Sequence, residues 1–166
     1  MVTFHPCEKT NDSDVRPLLT ALSKFERRFG FLFTAANSDP GGRDINNQII
    51  DFCKMNNGSI YIPQLGRDLF LKVANMATAM IGNSSAGILE TKFINKPTLD
   101  IMPRQAGRDL NENVIPVANK AEDISDGIET VTSSRFLKSV IENSENIYEP
   151  KAVQMIVKKI LSYVNH

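Results

Sequence analysis

At 166 residues, 42% of them hydrophobic, the chain has the size and composition of one soluble globular domain. Nineteen basic residues offset nineteen acidic ones, which argues against nucleic acid or an anionic membrane as the main partner. No apolar run approaches the roughly 20 residues of a membrane span, and the opening Met1-Val2-Thr3-Phe4-His5-Pro6 resembles neither a signal nor a transit peptide, so a cytoplasmic protein is expected.

The sequence enters a β-type run at once, Val2-Thr3-Phe4, stopped by Pro6. A natural protein can begin this way, and so does a polypeptide cut at a domain boundary. Asn11, Asp12, Ser13 and Asp14 crowd the position where a helix N-cap belongs, and Val15, Leu18, Leu19, Leu22, Phe25 and Phe29 then recur at helical spacing up to Gly30. Phe31 to Ala36 is a continuous apolar run, as in a strand buried on both faces. The alternation repeats. After a turn from Asn37 to Gly42 come a helix from Ile45 to Met55, a strand from Ser59 to Ile62, a helix from Asp68 to Met76 and a strand from Ala77 to Ile81. The small-residue loop Gly82 to Gly87 leads into a short helix through Glu90 and Phe93. Strands from Pro97 to Met102 and from Asn113 to Val117 follow, then helices from Ala121 to Val131 and from Pro150 to Val164. Strand–helix alternation of this kind implies an α/β, Rossmann-like fold, one parallel sheet with helices on both faces in a single domain. In the last helix Val153, Ile156, Ile160 and Val164 form one apolar stripe, part of which is expected to be exposed or self-associated in this chain on its own.

In such sheets ligands bind beyond the carboxyl ends of the strands, so the loops there carry the chemistry. Ile81-Gly82-Asn83-Ser84-Ser85-Ala86-Gly87 uses only small residues after its first position. Free N–H groups at a helix start suit a phosphate, with Ser84 and Ser85 adding hydroxyls; an ordinary helix cap uses the same residue types. Glu90 stands further along that helix, either to accept hydrogen bonds from ribose hydroxyls or simply to complement the helix dipole. Arg104, just after a strand, offers a guanidinium fork to a diphosphate, or is a solvated loop arginine. His5 can donate to a phosphate or exchange a proton. Asn37 and Asp39 lie in a Gly/Pro-rich turn.

Other chemistries are poorly served. Cys7 and Cys53 are too few and too scattered for a disulfide framework or a zinc site, and with His5 and His166 as the only histidines no metal is expected. There is no Gly-x-Gly-x-x-Gly after the first strand, no Walker-type Gly-Lys-Ser/Thr and no Gly-x-Ser-x-Gly elbow.

The loops taken together have a familiar order. Thr3-Phe4-His5-Pro6, Asn37-x-Asp39-x-Gly41-Gly42, Gly82-Asn83-Ser84-Ser85-x-Gly87-x-x-Glu90 and Arg104-Gln105-x-Gly107-Arg108 followed by Asn113-Val114-Ile115 resemble the C-terminal half of the hydrolysing UDP-N-acetylglucosamine 2-epimerases. That resemblance implies one half of a two-domain GT-B-type fold, in which this domain holds the nucleotide and an N-terminal catalytic domain, absent from this chain, faces it across a cleft. It assigns the diphosphate to Ser84, Ser85 and Arg104, the ribose to Glu90, the neighbourhood of the uridine to Asn37 with Asp39 as a further nucleotide ligand, and the catalytic candidate to His5. The implied partners are UDP and UDP-N-acetylglucosamine, with no cofactor, and the parent protein is expected to be a homo-oligomer. The chain alone, lacking the other domain's carboxylates, is expected to be inactive. The nucleotide half of a GT-B glycosyltransferase and a stand-alone nucleotide-binding module are the alternatives.

Overall fold

The computed structural model describes residues 1–7, 13–143 and 152–164. Six parallel strands form one sheet: β1 (Val2–Thr3), β2 (Phe31–Thr34), β3 (Ser59–Ile62), β4 (Met80–Gly82), β5 (Thr98–Ile101) and β6 (Val114–Val117). Their spatial order is β3-β2-β1-β4-β5-β6. The chain winds outward from β1 in one direction, returns, and winds outward from β4 in the other. The strand order therefore reverses between β1 and β4, and a crevice opens at their carboxyl ends. This is the Rossmann-like architecture expected from the sequence.

Alternation along each strand divides the apolar side chains between two cores. On one face Val2, Phe33, Ile81, Leu99 and Ile101 meet Leu18 and Leu22 of α1 (Arg16–Ser23), Ile45, Ile49 and Phe52 of α2 (Gly42–Met55), and Ile124 and Ile128 of α5 (Ala121–Val131). On the other face Met1, Leu32 and Met80 meet Phe70, Val73 and Ala74 of α3 (Gly66–Met76) and Ala86 of α4 (Ala86–Leu89). A 3₁₀ turn, Thr91–Ile94, extends α4.

Two helices depart from the sequence expectation. The first helix stops at Ser23 rather than at Gly30. Beyond it the bonds tighten to i→i−3, Lys24 N–H to Ala21 and Phe25 N–H to Leu22, which turns Phe25 into the core and leaves Arg28 over the Phe25 and Phe29 rings. Arg28 also pairs with Glu129 of α5, tying this turn to the neighbouring helix. The expected capping residues Asn11 and Asp12 lie outside the described residues; Asp14 instead accepts from the Arg16 N–H and its guanidinium. An unanticipated helix, α6 (Ser134–Glu142), begins where the Ser133 hydroxyl accepts from the Phe136 N–H, and buries Val140.

The last helix, α7 (Ala152–Val164), carries its stripe in the open: Val153, Ile156 and Ile160 are 70%, 58% and 55% exposed. Pro150, its expected start, and the side chain of Val164 lie outside the described residues. No helix among the described residues is long and apolar enough to cross a membrane.

Phe33 is the centre of the larger core, fully buried and edge-on to both Phe31 and Phe52 at 6.4 and 5.7 Å. Phe33→Ala should therefore cost about 3–5 kcal/mol of stability, read as a lower midpoint in urea unfolding followed by circular dichroism. A loss below about 1 kcal/mol would mean that the core is centred elsewhere.

Candidate functional site

Gly82 ends β4 with φ of +140°, and a Cβ there would meet the Thr3 carbonyl oxygen at 1.8 Å. Only glycine lets β4 lie this close to β1 while the chain turns into Asn83. The Asn83 side chain, 2% exposed, then grips the other strand's exit. Its Oδ1 accepts from the His5 N–H at 2.7 Å and its Nδ2 donates to the His5 carbonyl at 2.8 Å. The Asn83 carbonyl in turn accepts from Gln105 Nε2 at 2.8 Å and from the Arg104 guanidinium at 3.2 Å. One residue thus joins the loops after β1, β4 and β5, three of the loops that the sequence marks as chemical.

The loop after β2 is attached through His5, whose Nδ1 accepts from the Asn37 N–H at 3.0 Å. An accepting Nδ1 carries no proton, so the neutral ring holds its proton on Nε2 and is a donor there. Burial lowers the His5 pKa to about 4; Arg104 adds to the lowering and Asp39 opposes it. At neutral pH this ring is an uncharged hydrogen-bond donor.

The candidates divide among adjoining hollows. His5, Ser84 and Glu90 share a groove of about 350 Å³ with Thr3, Thr34 and the segment Pro63-Gln64-Leu65-Gly66-Arg67. Phe70 of α3 also lines it. Ser85, Arg104 and Asp39 line a neighbouring polar pocket together with Gln105 and Arg108. The Ser84-Ser85 turn is the ridge between the two. Asn37 faces a third recess, with Asp39, Asp44 and Asn46, and its amide donates to Asp39. The structure therefore brings His5, Ser84, Ser85, Glu90, Arg104 and Asp39 to one edge and leaves Asn37 beside it.

The anion-binding capacity of this edge has a different origin from the one the sequence suggests. Helix α4 is only four residues long, so a macrodipole contributes little. What remains is local. Among the described residues the Ser84 and Ser85 N–H groups donate no hydrogen bond, their carbonyls serve the turn into α4, and Arg104 is held beside them. Backbone donors and a fixed guanidinium suffice to hold a phosphate. Among the described residues there is no cluster of three or more potential metal ligands.

Residues 1–161 match the family described as UDP-N-acetylglucosamine 2-epimerase. The chain belongs to that family. It is 31% identical over 168 residues to the GDP/UDP-N,N'-diacetylbacillosamine 2-epimerase (hydrolyzing) of Campylobacter jejuni, covering 99% of this chain and 43% of that protein. It is likewise 31% identical to the polysialic acid biosynthesis protein P7 of Escherichia coli, over 89% of this chain and 38% of the relative. The solved S. aureus MnaA–UDP co-structure shares its fold with a TM-score of 0.72 at 14% identity, over 99% of this chain and 44% of the other. The chain thus spans less than half the length of the proteins it matches.

Two groups of site residues escaped the sequence reading. Asn83 was one small residue in a loop, with no signal beyond its place between Gly82 and Ser84. The segment from Pro63 to Arg67 follows a strand and was therefore in the right place, but it carries no phosphate-type residue pattern.

The state of His5 is directly measurable, since the only other histidine is His166. A proton NMR titration should show one imidazole with a midpoint near 4, because the folded chain refuses at His5 a proton that an unfolded imidazole takes up near 6.5. Two ordinary midpoints near 6.5 would contradict the bonded, neutral His5 described above.

Proposed function

We propose that this domain holds the UDP portion of a UDP-N-acetylated hexosamine, as the nucleotide-binding half of a hydrolysing 2-epimerase that converts UDP-N-acetylglucosamine to N-acetylmannosamine and UDP. The observation that carries this reading is the convergence of unbonded Ser84 and Ser85 N–H groups, Arg104 and Glu90 at the β1/β4 switch point. Membership of the epimerase family, and the UDP in the co-structure that shares the fold, support it over a glycosyltransferase or a stand-alone module.

In this reading the diphosphate lies over the Ser84-Ser85 ridge, with the Arg104 guanidinium and the His5 Nε2–H on its oxygens. Glu90 accepts from the ribose hydroxyls. The base lies in the groove between Pro63–Arg67 and Phe70, which has the apolar walls a pyrimidine needs, rather than beside Asn37. The hexose then points out of the edge past Asp39. The chemistry is an elimination followed by an addition. A base removes the proton at sugar carbon 2 while the bond from carbon 1 to the phosphate oxygen breaks, its electron pair leaving with UDP. Water then adds across the resulting double bond, with hydroxyl to carbon 1 and a proton to the opposite face of carbon 2. His5, fixed as a neutral donor, steadies the departing phosphate better than it would serve as the base. We assign the carbon-2 base to the part of the parent protein beyond this chain, and the exposed stripe of α7 to contact with that part. The parent is proposed to work in the cytoplasm, in sialic-acid-type or surface polysaccharide synthesis.

Titration calorimetry tests the binding assignment. Ser85→Ala removes one hydroxyl and should weaken UDP by about 0.5–1.5 kcal/mol. Arg104→Ala removes a charge-assisted contact and should cost about 1.5–3 kcal/mol. Uridine should bind more weakly than UDP and respond to neither change. Equal sensitivity of uridine and UDP to Arg104→Ala would place that arginine away from the phosphates.

The assignment of the base elsewhere has its own check. This chain, incubated with UDP-N-acetylglucosamine at high protein concentration, should release no UDP above a heat-killed control by chromatography. Clear release would put a catalytic base within these residues.

A further inference from the structure

Among the described residues Asp100 is the only acid buried almost completely, at 1% exposure, and the nucleotide reading gives it no role. It lies in β5, where Leu99 and Ile101 enter the larger core and Thr98 and Asp100 take the opposite face. Thr98 marks what that face meets: its hydroxyl donates to Thr91 at 2.9 Å, and its methyl would lie 2.8 Å from a Cβ placed on Gly87. Asp100 is in register with Gly82 of the next strand, which has no side chain to come between them. Gly82 begins the Asn83-Ser84-Ser85 turn, and β5 opens just past Asp100 into the loop that carries Arg104 and Arg108. Asp100 thus neighbours, across the ladder, the residue that begins one part of the proposed diphosphate site, and it precedes Arg104 of the other part by four residues.

Among the described residues neither of its oxygens has a hydrogen-bond partner. An ionised carboxylate in that condition is costly, and a protonated one much less so. Burial pushes the Asp100 pKa up to about 6, against the pull of Arg108. Of the elements around it, the loop after β5 brings Arg104 and Arg108, α4 and its 3₁₀ extension bring Glu90 and Lys92, and the loop after β1 brings His5. Strands β4 and β6 contribute no titratable side chain. Arg108 is the one of these whose charge acts on Asp100 appreciably.

We propose that Asp100 is the proton-linked residue of the anion site, taking up one proton from solvent when a nucleoside diphosphate seats on the Ser84-Ser85 turn and giving it back when the ligand leaves. The inference rests on the nucleotide reading above. A diphosphate on that turn brings like charge toward the carboxylate, since Asp100 lies one strand spacing, roughly 5 Å, from Gly82 at the start of the turn. Such a charge disfavours ionisation of Asp100. The proton removes the repulsion, and the only covalent change is the O–H bond formed on the carboxylate. UDP affinity therefore falls as pH rises above neutrality, and product release is helped by loss of the proton.

Calorimetry of UDP binding in two buffers of different ionisation enthalpy reads the protons taken up per ligand. Asp100→Asn keeps the shape of the side chain but cannot titrate. At pH 7 the natural chain should take up between about one half and one proton more than the variant, a difference in which His5 and the ligand's own phosphate cancel. From pH 7 to 8 its affinity should drop relative to the variant's by up to about tenfold, and the two should converge near pH 5.5. Equal uptake and parallel pH profiles overturn the role of Asp100 while leaving UDP binding intact. Failure of the natural chain to bind UDP at all would instead overturn the nucleotide reading. Should Asp100→Asn not fold, carbon-13 NMR of the Asp100 carboxyl in the natural chain decides: a titration midpoint raised by UDP supports the proposal, and an unmoved one sinks it.

Discussion

Strands β1 and β4 are neighbours in the sheet, yet His5 and Asn83 at their exits stand 78 residues apart in sequence. The sheet fixes the strands, but sheet hydrogen bonding ends where the loops begin, and nothing in a parallel ladder sets how two exits lie relative to each other. The Asn83 amide does that. By donating to one backbone group of His5 and accepting from the other it imitates a further rung of the ladder, and the main-chain carbonyl of the same residue collects Gln105 and Arg104 from the loop after β5. These bonds are made by a nearly buried residue, so breaking them would leave unpaired polar groups at a cost of about 1–3 kcal/mol each. The edge is therefore organised before any ligand arrives.

Pre-organisation has a chemical consequence. The Ser84 and Ser85 N–H groups and the Arg104 guanidinium are held in adjoining hollows by bonds within the protein, so an anion bound there would not need to order them. His5 belongs to the same arrangement, because the bond from the Asn37 N–H selects its tautomer and burial keeps it uncharged. Positive character at this edge comes from arginine and from backbone, whereas the two groups with shifted titrations, His5 and Asp100, are held closer to neutral than their types usually are. The site gathers donors while limiting net charge in its own interior.

The sheet was legible because its strands are short apolar runs separated by helical spacing and small-residue loops, and every expected strand formed within about three residues of its place. The errors have particular causes. Helical periodicity through Phe25 and Phe29 could not reveal that the chain tightens after Ser23 to turn Phe25 inward. Helix α6 is short, and its Ser133 cap looked like any serine between two segments. The loop from Gly82 to Gly87 was legible from its small residues as a tight strand-to-helix connection, and Arg104 from its place after a strand; the fold brings the two together at one edge. Asn83 and Asp100 were not legible, because their importance comes from what the fold puts beside them: a strand exit 78 residues away for one, Gly82 of the neighbouring strand for the other. Asn37 stands beside the edge, its side chain donating to Asp39 and lining an adjoining recess.

The central claim is that the carboxyl edge at the β1/β4 switch is where this chain meets a nucleotide, with the phosphates on the Ser84-Ser85 ridge and the base toward Pro63–Arg67. Backbone amide NMR spectra of the labelled chain, recorded as UDP is added, test it most directly. Shifts should concentrate at His5, Gln64 to Arg67, Asn83 to Glu90 and Arg104 to Arg108. The opposite end of the sheet, where Lys92, Asn95, Asn111 and Asn113 line another pocket, should stay still. Shifts centred on that second pocket, with the Ser84-Ser85 turn unmoved, would contradict the account.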